Sequence, residues 1–442
     1  MPPVHSLIRS PATYLAAVVI AIATALQSIL YPAVAQVELA IDPADSFAMA
    51  SFEQVWTAIA DTHWQENPGG LDWQAIHDEF EPRIAASQDQ NQVRSILSEM
   101  LERLGQSHFG IIPLSVYADL DAGPGGPHVT GIDVRLLDNQ VVVTEVTEGS
   151  PAEAAGVRTG WVLRVLGSQE IDGMIERLTD VARSRGLQIG LVLTSSLRQR
   201  LSGSADSMIA ATFLDQGGRS IELDLPTALP RGAFSQFGNL PPIPVWYEDR
   251  RYGDTTYVRF NAFLDVPRVM SGFEQSVRNC EPCEGMIIDL RGNMGGIAAM
   301  AMGMSGFLTS ERNFQLGTML TRGLELKFVV NPRLDPFEGP VAILVDSTSA
   351  STAEIFAGGL QDLGRARVFG TTSAGAALPS VIERLPNGDG FQHAIANYIS
   401  AGGQELEGYG VTPDQVVELE RDTLLRGVDP VLNAALVWIQ SQ

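Results

Sequence analysis

Apolar positions recur at helical spacing early in the chain, form hairpin pairs in the middle, and come as short solid runs in the last half. Phe52, Val55, Trp56 and Ile59 make one stripe, Trp73, Ile76 and Phe80 a second, and Val93, Ile96, Leu97, Met100, Leu101 and Leu104 a third. Three helices are therefore predicted over 46–105. Asn67-Pro68-Gly69-Gly70 marks a turn between two of them, and Asp72 stands where a helix N-cap belongs. Over 134–146 two apolar runs flank Leu137-Asp138-Asn139, a hairpin pattern. Beyond residue 227, strand-like runs at 257–260, 285–290, 341–345 and 368–370 alternate with helical stretches, as in an α/β core.

Two turns in that core stand out. The first follows the run 341–345 and holds Ser347, Thr348, Ser349, Ser351 and Thr352, ahead of a helix whose apolar face includes Ile355, Phe356, Leu360 and Leu363. A serine there is exposed at a helix N-terminus, where free N–H groups and the dipole favour a developing negative charge. The plainer role for any of these hydroxyls is helix capping. The second turn, Arg291-Gly292-Asn293-Met294-Gly295-Gly296, lacks the lysine of a P-loop and the spacing of a dinucleotide fingerprint, so its glycines serve to bring backbone N–H groups near a ligand. Far upstream, Gln106-Ser107-His108-Phe109-Gly110 ends the third helical stripe and places His108 in a short polar turn facing a cleft.

The composition narrows the function. A chain of 442 residues holds two or three domains, and a net charge of -23 argues against a general nucleic-acid or anionic-membrane surface. Arg9, the apolar run 14–29 and Pro32-Ala33-Val34-Ala35 ahead of Gln36 read as a secretory signal, with the mature chain starting at Gln36. An uncleaved anchor is the alternative; the run is short for a span and is broken by Gln27 and Ser28. The only cysteines, Cys280 and Cys283, fit a small local disulfide in an exported chain better than a zinc site or a thioredoxin-like motif. No metal or cofactor is expected.

After the linker Gly123-Pro124-Gly125-Gly126-Pro127, the sequence Glu148-Gly149-Ser150-Pro151-Ala152-Glu153-Ala154-Ala155-Gly156-Val157 resembles a PDZ domain, over roughly 124–226. It departs from that family at Gly160-Trp161, where Gly-Asp is usual. The resemblance implies that Thr130, Gly131 and Ile132 offer backbone N–H groups to a chain terminus that adds as a strand. The alternative is a spacer that binds nothing.

Three ordered motifs, D-L-R-G-N-x-G-G, S-A-S-T-A-E-I-F-A and E-G-Y-G-V-x-P-D, behind a helical segment and a PDZ-like segment, resemble the S41 peptidase family. The implied fold is α+β and multidomain: a signal peptide (1–35), an N-terminal helical bundle (36–122), a PDZ-like β domain (123–226) and an α/β ClpP/crotonase-like protease core (227–442). In the family's carboxy-terminal processing branch a lysine in a G-K-G turn is the base. Here that turn reads Gly375-Ala376-Ala377, and the only lysine, Lys327, lies before the candidate nucleophile. The tricorn core and interphotoreceptor retinoid-binding-protein-like branch is the better match. It implies Ser351, three residues ahead of Glu354, as nucleophile, His108 as base, and Glu407 with Ser107 holding the imidazole. Thr352 and either Gly295 or Gly296 would bind the oxyanion. Glu354 reads as a first-turn carboxylate favoured by the helix dipole, and Asp289 with Arg291 as a structural pair. The expected function is an exported serine endopeptidase acting on polypeptides, with no nucleic-acid partner, no cofactor, and the membrane touched only through an uncleaved signal segment. A Ser/Lys processing peptidase using Lys327, and a non-catalytic peptide-binding protein, are the alternatives.

Overall fold

The computed structural model describes residues 43–121, 127–280 and 282–442, so the signal segment and linker residues 123–126 lie outside the described residues. The chain divides into units Met1–Ser46 and Phe47–Gln442, and apart from the first residues of the first helix everything below lies in the second. The predicted helices are Pro43–Thr62, Trp73–Ala85 and Gln90–Glu102, and Asp72 does cap its helix, accepting the Ala75 N–H at 3.1 Å. Their apolar stripes do not close a core among themselves. Phe52, Val55, Phe80, Leu97 and Met100 pack with Leu378, Leu385, Phe391 and Ala394 from the far end of the sequence. Strand Gly110–Ile112, just past His108, pairs antiparallel with Gly390–Ala394, and Arg94 grips the buried Asp389 carboxylate with two bonds of 2.8 and 2.9 Å. The turn carrying Ser107 and His108 is thus hung between a helix end and a strand of the core.

The core sheet has six strands. Tyr247–Tyr252 is antiparallel to Thr255–Phe260, and Gly285–Asp289, Val341–Val345, Arg367–Gly370 and Gln415–Val416 continue from it in parallel. Val341–Val345 is apolar at every position, and Gly285–Asp289 at all but its last, because both faces are covered. Met286, Ile288, Ile343 and Val345 face the core under helices Val266–Arg278, Ala298–Ser305 and Thr352–Asp362, while Ile287, Ala342 and Leu344 face Val431, Ala435 and Ile439 of helix Pro430–Ile439. Gly285–Asp289 and Val341–Val345 are parallel neighbours, so the turns after their carboxyl ends emerge side by side.

Residues 132–226 form a separate antiparallel sheet of strands Ile132–Leu137, Gln140–Val146, Val162–Leu166, Met208–Leu214 and Ser220–Pro226, with helices Ile171–Ser184 and Ile189–Arg200. Asp138 and Asn139 turn the first hairpin with positive φ, as the sequence predicts. Cys280 and Cys283 are joined as a disulfide. Among the described residues, no helix is long and apolar enough to cross a membrane.

Candidate active site

Ser351 is the N-cap of helix Thr352–Asp362 and sits at φ 56, ψ -120, a left-handed conformation that a non-glycine residue seldom takes. The other hydroxyls of the turn are occupied or pressed into the fold. Thr348 Oγ1 donates to Asp346, Ser349 Oγ to the Leu290 carbonyl at 2.8 Å, and Thr352 Oγ1 to the Gly296 carbonyl at 2.8 Å, while Ser347 is packed against Gly190. Among the described residues, the Ser351 hydroxyl donates no hydrogen bond. Ser351 is partly exposed, and its oxygen caps the helix with Glu354 as the third helical residue, so its proton is the part left uncommitted.

The glycine-rich turn lies against this serine. Gly295 has φ 87, and a Cβ there would come within 2.7 Å of Ser351 Cβ, so no larger residue fits. The Gly295 N–H is taken by Asn293 Oδ1 at 2.9 Å. The N–H groups of Gly296 and Thr352 donate to nothing among the described residues, which leaves these two as the available oxyanion donors.

His108 is half-buried and also has positive φ, 60. Its Nδ1 is 2.7 Å from Ser107 Oγ, and Ser107 Oγ donates to Glu407 Oε2 at 2.8 Å. A hydroxyl has one proton; with that proton given to Glu407, its lone pair accepts Nδ1–H, and Nε2 is left as a free acceptor. Glu407 reaches the histidine through Ser107, not directly, and also accepts the Ser107 N–H at 2.7 Å and the Ala377 N–H at 3.1 Å. Burial lowers the His108 imidazole to about 4 and pushes the Glu407 carboxyl up, against the pull of its hydrogen bonds. The ring is therefore neutral across the physiological range. Among the described residues, no hydrogen bond joins His108 to Ser351, a looseness common in unliganded sites.

What links the two halves is Glu354, which the sequence presents as a dipole-favoured first-turn carboxylate. It is fully buried. It accepts from the Ser351 N–H at 3.0 Å, Ser373 Oγ at 2.6 Å, the Gly375 N–H at 2.8 Å and the Ala376 N–H at 3.0 Å. The Ser351 N–H also donates to the Ala376 carbonyl at 2.8 Å. The Gly375-Ala376-Ala377 turn, where a lysine would stand in the other branch, thus gives two N–H groups to Glu354 and the next to Glu407. Gly375 has φ 68, and a Cβ would meet Gly408 C at 3.1 Å, so the turn can press against the segment that carries Glu407. Nothing in the sequence marks Ser373 or the two backbone donors as partners of Glu354, since backbone N–H groups carry no residue signature.

The remaining candidates sit elsewhere. Lys327 is exposed on strand Glu325–Val329, paired with Thr318. Asp289 holds Arg291 as expected, and Arg291 also reaches Asp429 at 2.8 Å. Thr130 is fully buried, its N–H donates to the Leu201 carbonyl at 3.1 Å and its carbonyl accepts the Ala152 N–H at 3.0 Å. The expectation that Thr130 offers its N–H to a chain terminus therefore fails, because the end of helix Ile189–Arg200 has already taken it. Gly131 accepts the Thr147 N–H through its carbonyl, and Ile132 begins an edge strand of its sheet. Leu191 of that helix and Leu187 just ahead of it pack against Ala350, Ala374 and Ala376 beside the serine turn, and Arg135 Nε binds Asp346 at 2.7 Å.

Peptidase family S41 matches residues 254–417, and the tricorn protease C1 domain matches residues 48–102. Similar proteins include the carboxyl-terminal-processing protease of Synechocystis sp., 23% identical over 375 residues, 83% of this chain and 80% of that one. Carboxyl-terminal-processing peptidase 3, chloroplastic, of Arabidopsis thaliana is 26% identical over 329 residues, 72% of this chain and 59% of that one. Among solved structures, mature CPAF superposes with a TM-score of 0.62 at 12% identity, covering 90% of this chain and 96% of that one. The photosystem II D1 C-terminal processing protease gives 0.57 at 20%, covering 87% and 98%. Fold and sequence matches together define a serine peptidase, whose substrates are polypeptides. Residues 254–417 fall within peptidase family S41.

Proposed function

We propose that the protein is an exported serine endopeptidase with Ser351 as nucleophile, His108 as base and Glu407, acting through Ser107, as the group that holds the imidazole. Ser351 Oγ attacks the peptide carbonyl as Nε2 of His108 takes its proton. The imidazolium returns that proton to the leaving amine, and water, activated by the same nitrogen, hydrolyses the acyl-enzyme. The N–H groups of Thr352 and Gly296 stabilise the oxyanion in each half-reaction. The observation that supports this reading most is the bonded series from Glu407 through Ser107 to His108 Nδ1, which leaves Nε2 free to accept a proton. The names of the similar proteins add a substrate class, polypeptides cut near the carboxyl terminus, and the leader-like segment before Gln36 supports export. In this reading residues 36–122, 123–226 and 227–442 act as the helical, PDZ-like and protease segments.

A fluorophosphonate probe on the purified protein is expected to label one residue, Ser351, as located by peptide mass mapping. Labelling that survives Ser351→Ala would sink the assignment, and absence of any turnover of denatured casein would favour a non-catalytic peptide-binding role. The Ser/Lys mechanism has its own discriminator. Lys327 is exposed on a strand, so Lys327→Met is expected to leave kcat/KM unchanged, and a loss of ten-fold or more would revive the lysine as a base.

A further inference from the structure

His63 is completely buried and takes no part in the chemistry above. It follows helix Pro43–Thr62, and its N–H extends the helical bonding to the Ile59 carbonyl at 3.1 Å. Its Nδ1 accepts the Gln65 N–H at 3.0 Å. An accepting Nδ1 puts the ring proton on Nε2, which lies 3.0 Å from Gln106 Oε1. The ring stacks on Trp64 at 4.0 Å and on Phe109 at 5.9 Å between centroids. Gln106 and Phe109 are the residues immediately before and after Ser107-His108. One buried ring therefore touches both ends of the turn that carries the candidate base.

That turn needs holding. His108 is in the left-handed region, which disfavours a non-glycine residue and persists only where its surroundings impose it. The His63 side is itself braced by Arg322, whose Nε donates to the His63 carbonyl at 3.1 Å and whose Nη2 donates to the Ala60 carbonyl at 2.9 Å and the Gln65 carbonyl at 3.3 Å. Burial holds the His63 imidazole below its ordinary value, and the Arg322 charge acts in the same direction, while the bonds to Gln106 and Gln65 oppose them. The neutral ring, with one donor and one acceptor, matches the partners on its two sides.

We infer that His63 is a positioning residue for the peptidase reaction: through Gln106 and Phe109 it fixes the turn that aims His108. This rests on the reading of His108 as the base. A ring that only fills the core would affect stability and leave kcat per folded molecule unchanged. His63→Phe keeps the stacking and removes both hydrogen bonds; Gln106→Leu removes the acceptor and keeps His63. Each is expected to lower kcat about 10-fold with KM unchanged, a loss smaller than that from a 1 Å displacement of a reacting group. The double variant is expected to be no slower than the slower single variant, because both remove the same bond. His63→Gln, which can still donate to Gln106, is expected to recover part of kcat.

Denaturant melts on each variant give the folded fraction by which kcat is corrected. Unchanged kcat in Gln106→Leu overturns the inference even if His63→Phe does not fold, and so do losses that multiply in the double variant. His108→Ala separates the two levels of the argument. If it abolishes turnover while His63→Phe and Gln106→Leu retain full kcat, the inference alone falls. If His108→Ala itself retains full kcat, the reading of His108 falls and takes the inference with it.

Discussion

Replacing His108 by alanine is expected to lower kcat by ~10⁶-fold at neutral pH, with KM little changed, and the Ser351→Ala, His108→Ala double variant is expected to be no slower than either single one. The reason is that the two side chains act as a unit: a serine without a base is as idle as a base without a serine. The residual rate comes from binding and from the N–H groups of Thr352 and Gly296, which neither substitution touches. Single-turnover kinetics on a peptide ester would read both variants. Losses that multiply would show that His108 works on something other than the Ser351 proton. The acid side of the profile has a further source. Protonated Glu407 would donate to Ser107 Oγ, turning the serine proton toward His108 Nδ1 and moving the ring proton to Nε2, where it blocks proton acceptance.

Glu354→Gln is the second large effect, and its signature is a pair of opposite pH dependences. Burial pushes the Glu354 carboxyl up to about 7 from an ordinary value of 4.5, even though four donors pull it the other way. A raised value means the folded state holds a proton that the unfolded state has released. The stability from this group is therefore full below about 4.5 and is lost as pH rises to about 7. Activity runs the other way, because the ionised carboxylate is the form that can accept from Ser351, Ser373, Gly375 and Ala376 together. Wild-type kcat/KM is expected to rise through about 7, and Glu354→Gln to lose that step along with about 10²-fold in rate, since the amide turns a donor toward donors. Glu354→Ala would leave Ser373 Oγ and the Gly375 and Ala376 N–H groups, three donors, without this acceptor, at about 1–3 kcal/mol each, while the Ser351 N–H keeps the Ala376 carbonyl, and is expected to lower the denaturant midpoint sharply. A pH–rate profile of the glutamine variant that keeps the wild-type step would assign that step elsewhere.

The serine turn was legible as a strand-to-helix turn because apolar periodicity flanks it, whereas Ser107-His108 and Glu407 were singled out only by the resemblance to peptidase family S41. Four strands of the six-stranded sheet were legible as short, largely apolar runs, whereas Tyr247–Tyr252, mostly polar, and Gln415–Val416, two residues long, were not. Glu354 was not, since a glutamate in the first turn of a helix has an ordinary explanation and its partners lie some twenty residues on, two of them backbone groups. The shared core of the N-terminal helices with Leu378, Leu385, Phe391 and Ala394 was hidden by distance along the chain. Thr130 shows the opposite failure: the string around it resembles a binding loop, and only the fold shows that helix Ile189–Arg200 ends where its N–H points.

Ser351 at φ 56 has one more consequence. The backbone there is one that glycine adopts freely and serine resists, so at this position folding and chemistry favour different amino acids. A lineage released from the need to cut peptides would meet steady selection for glycine at 351, with the rest of the fold intact. On the proposed reading of Ser351 as nucleophile, a relative that keeps every surrounding motif but carries glycine there is expected to bind peptides without cutting them.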